Sequence, residues 1–112
     1  MDKTLVYIAG PYRGAVDANV SAAIDWGEQV YRLGMVPLIP HETFLWAVKY
    51  RHTDDEWLEI TAEYLKRCDA MLRIPGASEG ADAEETLAEV YEMPVFYLLI
   101  DLARWNERGN TC

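Results

Sequence analysis

Apolar and polar positions along this chain switch between two periods, and the switches mark out its elements. Thr4-Leu5-Val6-Tyr7-Ile8-Ala9 is an unbroken apolar, β-branched and aromatic run stopped by Gly10-Pro11. It is too short for a helix and predicts a buried strand. From residue 17 to residue 33 the spacing turns helical: Ala22, Ala23, Trp26, Val30 and Leu33 fall on one face, and Gly34 suits the position just past a helix end. Met35-Val36-Pro37-Leu38-Ile39 predicts a second strand. Its proline has no N–H to give a ladder, which predicts a place at the sheet edge.

The aromatic stretch 41–52 keeps no clean period and reads as a short helix or an ordered loop. Beyond it, Asp54 or Asp55 can cap a helix running to about Arg67, and residues 70–74 form a third strand ended by Pro75-Gly76. A third helix over 81–91, a fourth strand over 94–100 and a short helix from Asp101 complete the pattern. Short strands joined by helices imply right-handed crossovers and a parallel sheet covered on both faces, an α/β fold. The most apolar strand, the first, belongs inside and the second outside it, giving strand order 2-1-3-4. In such sheets ligands bind beyond the carboxyl ends of the strands where the order reverses, here between strands 1 and 3.

The 112 residues suffice for one core, so residues 1–112 are expected to form a single domain. Ten Lys+Arg against 19 Asp+Glu give a net charge of -9, which repels polymeric nucleic acid and anionic membranes but leaves a local site for a small anion possible. Cys68 and Cys112 lack metal or redox spacing, and neither a leader nor a membrane-spanning apolar run is evident. The expectation is a cytoplasmic protein with reduced thiols. His41, His52 and the aspartates show no metal-ligand spacing, so neither a metal nor a cofactor is expected.

Two glycine-rich loops meet at the predicted switch point: Gly10-Pro11-Tyr12-Arg13-Gly14 after strand 1 and Pro75-Gly76-Ala77-Ser78-Glu79-Gly80 after strand 3. Glycines let backbone N–H groups approach a ligand, Arg13 offers a fork of donors, and Ser78 places a hydroxyl beside a helix N-terminus. Such a set suits a phosphate or carboxylate. The same residues also serve ordinary strand-to-helix turns, and both readings stand.

On the third helix Glu85, Glu89 and Glu92 share a face as a solvated stripe, as do Glu59, Glu63 and Arg67 on the helix before. Glu84 instead shares its face with Leu87, Ala88 and Tyr91, the stripe due to pack on the sheet, in the first turn beside the Ser78-Gly80 loop. A carboxylate there is a candidate nucleophile or acid/base group, or an acid placed for the helix dipole. His41 ends strand 2 on the same edge and either faces the cleft or is a satisfied rim histidine; His52 reads as a surface residue. Asp69 begins strand 3, at the opposite edge, and reads as a structural cap.

These motifs carry a resemblance. Val6 to Gly14, Asn19, Pro37-Leu38-Ile39-Pro40-His41, Cys68-Asp69-Ala70-Met71-Leu72, and Ser78-Glu79-Gly80-Ala81-Asp82-Ala83-Glu84 with Ala88 and Pro94-Val95 resemble the nucleoside 2-deoxyribosyltransferase superfamily. The chain looks most like its small bacterial and phage members; among characterised enzymes, 2′-deoxynucleoside 5′-phosphate N-hydrolase has the nearest pattern. The resemblance implies a flavodoxin-like three-layer sandwich and a glutamate nucleophile, here Glu84, attacking C1′ of a (deoxy)ribosyl group. It further implies that Tyr7 holds that nucleophile, that Arg13, Ser78 and the amides of Gly10, Gly14 and Gly80 hold a 5′-phosphate, and that His41 lines the sugar or base pocket.

One position departs from the pattern. The characterised hydrolase has an aspartate eight residues before the Asp that starts strand 3, and the count lands on Thr61. The leading expectation is N-glycosidic cleavage or transfer on a nucleoside or its 5′-monophosphate; the alternative is a nucleotide-binding module without turnover. Four Trp and seven Tyr are many for this length. Phe44, Trp46, Tyr50 and Trp57 cannot all be buried in so small a core, which predicts a homodimer or larger assembly, unless some of them stack on a base.

Overall fold

The computed structural model describes residues 2–109; Cys112, one of the two thiols considered above, lies outside them. The elements run β1 (Leu5–Ala9), α1 (Val16–Arg32), β2 (Val36–Leu38), a 3-10 turn (Pro40–Thr43), α2 (Phe44–Lys49), α3 (Asp54–Leu65), β3 (Ala70–Arg73), α4 (Glu79–Val90), β4 (Val95–Phe96) and α5 (Leu99–Glu107). The four strands are parallel and lie in the order β2-β1-β3-β4, as the pattern of apolar runs predicts. Pro37 sits on the edge strand β2, opposite Val6, where its missing N–H costs no interior ladder bond.

Side chains of β1 alternate between two cores. Val6 and Ile8, with Ala70, Leu72 and Ile74, face Ala23 and Val30 of α1 and Leu102 of α5. Tyr7 and Ala9, with Met71, face Leu65 at the end of α3, Cys68 just beyond it, and Ala81 and Ala88 of α4. Strand β1 is therefore buried along Val6 to Ala9, which have no exposed surface. No helix among the described residues is long and apolar enough to cross a membrane.

Several boundaries differ from the pattern-based expectation. Helix α3 is capped not by Asp54 or Asp55 but by Thr53, whose hydroxyl accepts the Glu56 N–H while the Glu56 carboxylate accepts the Thr53 N–H. This reciprocal pair satisfies two donors at once, which a lone aspartate does not. Strand β4 is only Val95–Phe96, and the apolar run continues instead as α5, because Leu99 and Leu102 reach the first core from a helix. Ala22 on α1 and Leu33 just past its end are exposed, and Gly27 is buried instead. A Cβ on Gly27 would lie 2.4 Å from Ile39 Cδ1, so its absence lets the helix close on the strand-2 side of the sheet.

Candidate active site

The cleft is built where β1 and β3 end. Their two loops interlock: a Cβ on Gly10 would lie 2.2 Å from Ile74 Cγ1, and one on Gly76, at φ +118°, would lie 2.6 Å from Pro11 Cγ. Glycine at both places allows backbone to pass where any side chain would collide. Asn19 in the first turns of α1 pins the first loop by donating to the carbonyls of Tyr12 (3.1 Å) and Arg13 (3.0 Å). His41 clamps it from the other side. Its Nε2 lies 3.2 Å from the Gly10 carbonyl and 3.0 Å from that of Pro11, and two acceptors at one nitrogen place the proton there. Burial holds the His41 ring below its usual pKa, so it is neutral at pH 7. Its Nδ1 is buried without a hydrogen-bond partner. His41 thus shapes the loop from beneath, 4% exposed.

Arg13 projects from that loop into solvent and pairs with Asp54 at the start of α3, 2.5 Å apart. Both side chains are exposed, and the pairing raises the Arg13 pKa and lowers that of Asp54. Gly14 follows at φ +92°, a left-handed conformation that glycine adopts without strain. On the facing loop Ser78 is the N-cap of α4, its hydroxyl accepting the Ala81 N–H at 3.1 Å. Gly80 lies in the first turn of α4, which begins at Glu79, two residues earlier than expected.

Glu84 consequently lies in the second turn, not the first. From there its Oε2 accepts the hydroxyl of Tyr7, which rises from the centre of β1 into the same core face. Burial pushes the Glu84 carboxyl up to about 7, against the opposing pull of the Tyr7 hydrogen bond and the positive charge of Arg73. Burial and the neighbouring carboxylate also raise the Tyr7 pKa far above its usual value, so Tyr7 stays a hydrogen-bond donor. Glu84 lines an open, mainly apolar cavity of about 370 Å³ between α3 and α4, with Leu58, Glu59, Thr61 and Ala62 on one wall and Ala83, Thr86, Leu87 and Val90 on the other. Thr61 donates to the Leu58 carbonyl at 3.3 Å and also meets the Tyr7 hydroxyl.

Tyr7, Glu84 and Thr61 therefore meet at the cavity between α3 and α4, whereas Gly10, Arg13, Gly14, Ser78 and Gly80 lie on the two loops beyond β1 and β3 and do not line that cavity, and the His41 ring lies beneath the first loop. Two residues expected at the surface are drawn inward. Glu85 is no free stripe member: it pairs with Arg73 at 3.0 Å and accepts the Tyr97 hydroxyl at 2.9 Å. His52 lies between Trp46 and Trp57, with ring centroids 5.3 and 5.1 Å away, and pairs with Glu56. Tyr91 is 38% exposed and leaves the inward face, while Glu92 lies beyond the helix end at φ +57°. Asp69 accepts the Leu5 N–H at 2.8 Å, the structural use expected of it. Burial raises the Cys68 thiol to about 12, which leaves it inert.

Arg73 is the residue that pattern reading missed. It is the last residue of β3, on the face shared with Met71 and Tyr7, and only 10% of its side chain is exposed. A cation two positions from an inward-facing core residue, followed by Asp82 and Glu85 three apart on the next helix, was the available signal. Among the described residues no cluster of three or more His, Cys, Asp or Glu side chains is arranged to hold a metal ion.

Comparison with known proteins places this architecture. Residues 4–97 match the family described as a domain of unknown function, DUF4406. The fold is similar to that of a 2-deoxyribosyltransferase from Bacillus psychrosaccharolyticus (TM-score 0.67, 18% identity, 82% of this chain and 69% of that one). It is also similar to a conserved protein from Enterococcus faecalis V583 (0.67, 20%, 84% and 62%) and a 2-desoxiribosyltransferase from Leishmania mexicana (0.62, 19%, 82% and 61%). The chain thus has the 2-deoxyribosyltransferase-like fold while spanning about two thirds of the length of those proteins. No curated protein matches it in sequence.

Proposed function

We propose that this chain, which belongs to the DUF4406 family, cleaves or transfers the N-glycosidic bond of a (deoxy)nucleoside or its 5′-monophosphate, with Glu84 as nucleophile. The observation that carries this reading is the largely buried Glu84 carboxylate, held by Tyr7 at the wall of a cavity between α3 and α4. A solvated acid has no need of such a partner, and a purely structural one has no need of a cavity. The 2-deoxyribosyltransferase-like fold supports the same class of chemistry.

In this scheme a Glu84 oxygen attacks C1′, the C1′–N bond breaks, and its electron pair leaves with the base nitrogen, which takes a proton from solvent water. Water or a second base then attacks C1′ of the glycosyl ester and releases Glu84, the logic of a retaining glycosidase. Ionised Glu84 is the attacking form, so its elevated pKa means that activity rises with pH through about 7. Tyr7 orients the carboxylate and stays protonated throughout. The Arg13 guanidinium, the Ser78 hydroxyl and the N–H groups at Gly10, Gly14 and Gly80 form the phosphate site; Asp54 now takes the place a phosphate would take on Arg13. His41 acts on the substrate only through the loop it clamps.

Incubation with a panel of (deoxy)nucleosides and their 5′-monophosphates, followed by chromatography for free base, tests the reading. Release by the wild type and none by Glu84→Ala is expected; equal release by both removes Glu84 from the chemistry. Thr61, which stands on the cavity wall where the resemblance calls for a carboxylate, favours a second reading: a nucleotide-binding module without turnover. Nucleotide binding by calorimetry without base release selects it. Exposed Leu45, Trp46, Val48 and Tyr50 on and beside α2 suit self-association into a homodimer or larger assembly, and a cytoplasmic setting suits such a substrate.

A further inference from the structure

Arg73 belongs to neither the phosphate loops nor the nucleophile pair, yet it engages three partners at once. From the end of β3 its Nε meets Glu85 at 3.0 Å, and its Nη2 meets both Asp82 at 3.2 Å and the Gly76 carbonyl at 3.0 Å. Its Nη1 is buried and has no hydrogen-bond partner. The two carboxylates it grips flank Glu84 on α4, one two residues before and one immediately after. Arg73 and Tyr7 also share one face of the sheet, since Ala9 pairs with Arg73 and Tyr7 with Met71, two residues back.

We propose that Arg73 is a positioning residue for Glu84: by tying Asp82 and Glu85 to the end of β3 it fixes the rotation of α4 that aims Glu84 at Tyr7, and it places a buried positive charge beside that carboxylate. This inference rests on the catalytic reading of Glu84. A helix free to roll by one residue, about 100°, would carry Glu84 off the sheet face altogether, so two anchors on either side of it set its direction. Electrostatics agree: the Arg73 charge is one of the two influences that draw Glu84 toward ionisation against burial.

The other groups facing Glu84 do not supply this. Tyr7 on β1 donates one hydrogen bond, Thr61 on α3 is neutral, and Glu59 on α3 lines the same cavity with a charge of the same sign. On its own helix Asp82 and Glu85 are two anions that share the single positive charge of Arg73.

The test is a carboxyl-detected NMR titration of Glu84 in the full chain, alongside the pH profile of base release. In Arg73→Gln the Glu84 midpoint rises by at least one pH unit from about 7, and activity at pH 7 falls at least about fivefold with the ascending limb displaced equally. Arg73→Lys, which keeps the charge and one carboxylate partner, raises the midpoint by less and recovers part of the activity. If Arg73→Gln fails to fold, the Lys variant alone decides: a higher midpoint supports the proposal. A Glu84 midpoint unmoved in a folded Arg73 variant overturns it. The titration needs no substrate, so it stands whether or not base release is found; absence of release in the wild type counts against the catalytic reading, not against Arg73.

Discussion

Replacing Glu84 by Gln makes the most telling perturbation, because it turns the candidate nucleophile into a permanent copy of its own protonated form. Unfolded, the Glu84 carboxyl ionises near 4.5; folded, burial pushes it up to about 7. Below 4.5 both states hold the proton and the group costs nothing. As pH rises through this window the unfolded chain releases its proton first, and above about 7 the native state carries a buried carboxylate at full cost. A rise from 4.5 to about 7, at about 1.4 kcal/mol for each tenfold change, amounts to roughly 3 kcal/mol of stability lost by the wild type at alkaline pH. Gln keeps an oxygen to accept the Tyr7 hydroxyl and bears no charge. Glu84→Gln should therefore match the wild type near pH 4 and exceed it by roughly 3 kcal/mol at pH 9. Urea unfolding followed by tryptophan fluorescence, with both proteins measured across pH, gives the difference directly, provided the m-values agree. A difference that stays flat with pH, or a Gln variant less stable at pH 9, would show that Glu84 is not the desolvated acid on which the account depends.

Three further outcomes follow from neighbouring contacts. Tyr7→Phe removes a hydrogen bond that favours the charged carboxylate, so the ascending limb of the pH–rate profile moves above pH 7; an unchanged limb would separate Tyr7 from Glu84. Asp54→Ala releases Arg13 from its ion pair, and calorimetry should show tighter binding of nucleoside 5′-monophosphates but not of free nucleosides, with thermal stability unmoved because the pair is exposed. Thr53→Ala breaks the reciprocal cap of α3 and should cost about 1 kcal/mol in chemical unfolding while leaving ligand affinity intact.

The sheet was legible because its determinants are local. The apolar run at β1 and the proline in β2 settle which strand is central and which lies at the edge, and four strand–helix alternations leave few topologies open. Pattern reading failed where a side chain's fate depends on a partner distant in sequence. Glu85 looks solvated by helical spacing, and only the end of β3 shows that Arg73 waits beneath it. His52 looks like a surface residue until α2 brings Trp46 to one side and α3 brings Trp57 to the other. The length of β4 departs from the sequence pattern for a related reason: Pro94 to Ile100 is apolar throughout, and a buried helix start cannot be told from a buried strand by hydrophobicity alone. Glu84 was legible as an anomaly, an acid on an apolar stripe, but its partner Tyr7 was indicated only by the resemblance, since a tyrosine in a strand packs in a core far more often than it holds a carboxylate.

The central claim is that Glu84 becomes covalently joined to the sugar. Rapid acid quench during turnover of a 2′-deoxynucleoside 5′-monophosphate, followed by proteolysis and mass spectrometry, examines that bond itself. A sugar-phosphate adduct is expected on the peptide containing Glu84, absent from Glu84→Gln. Base release at wild-type rates by Glu84→Gln, or an adduct on any other residue, would contradict it.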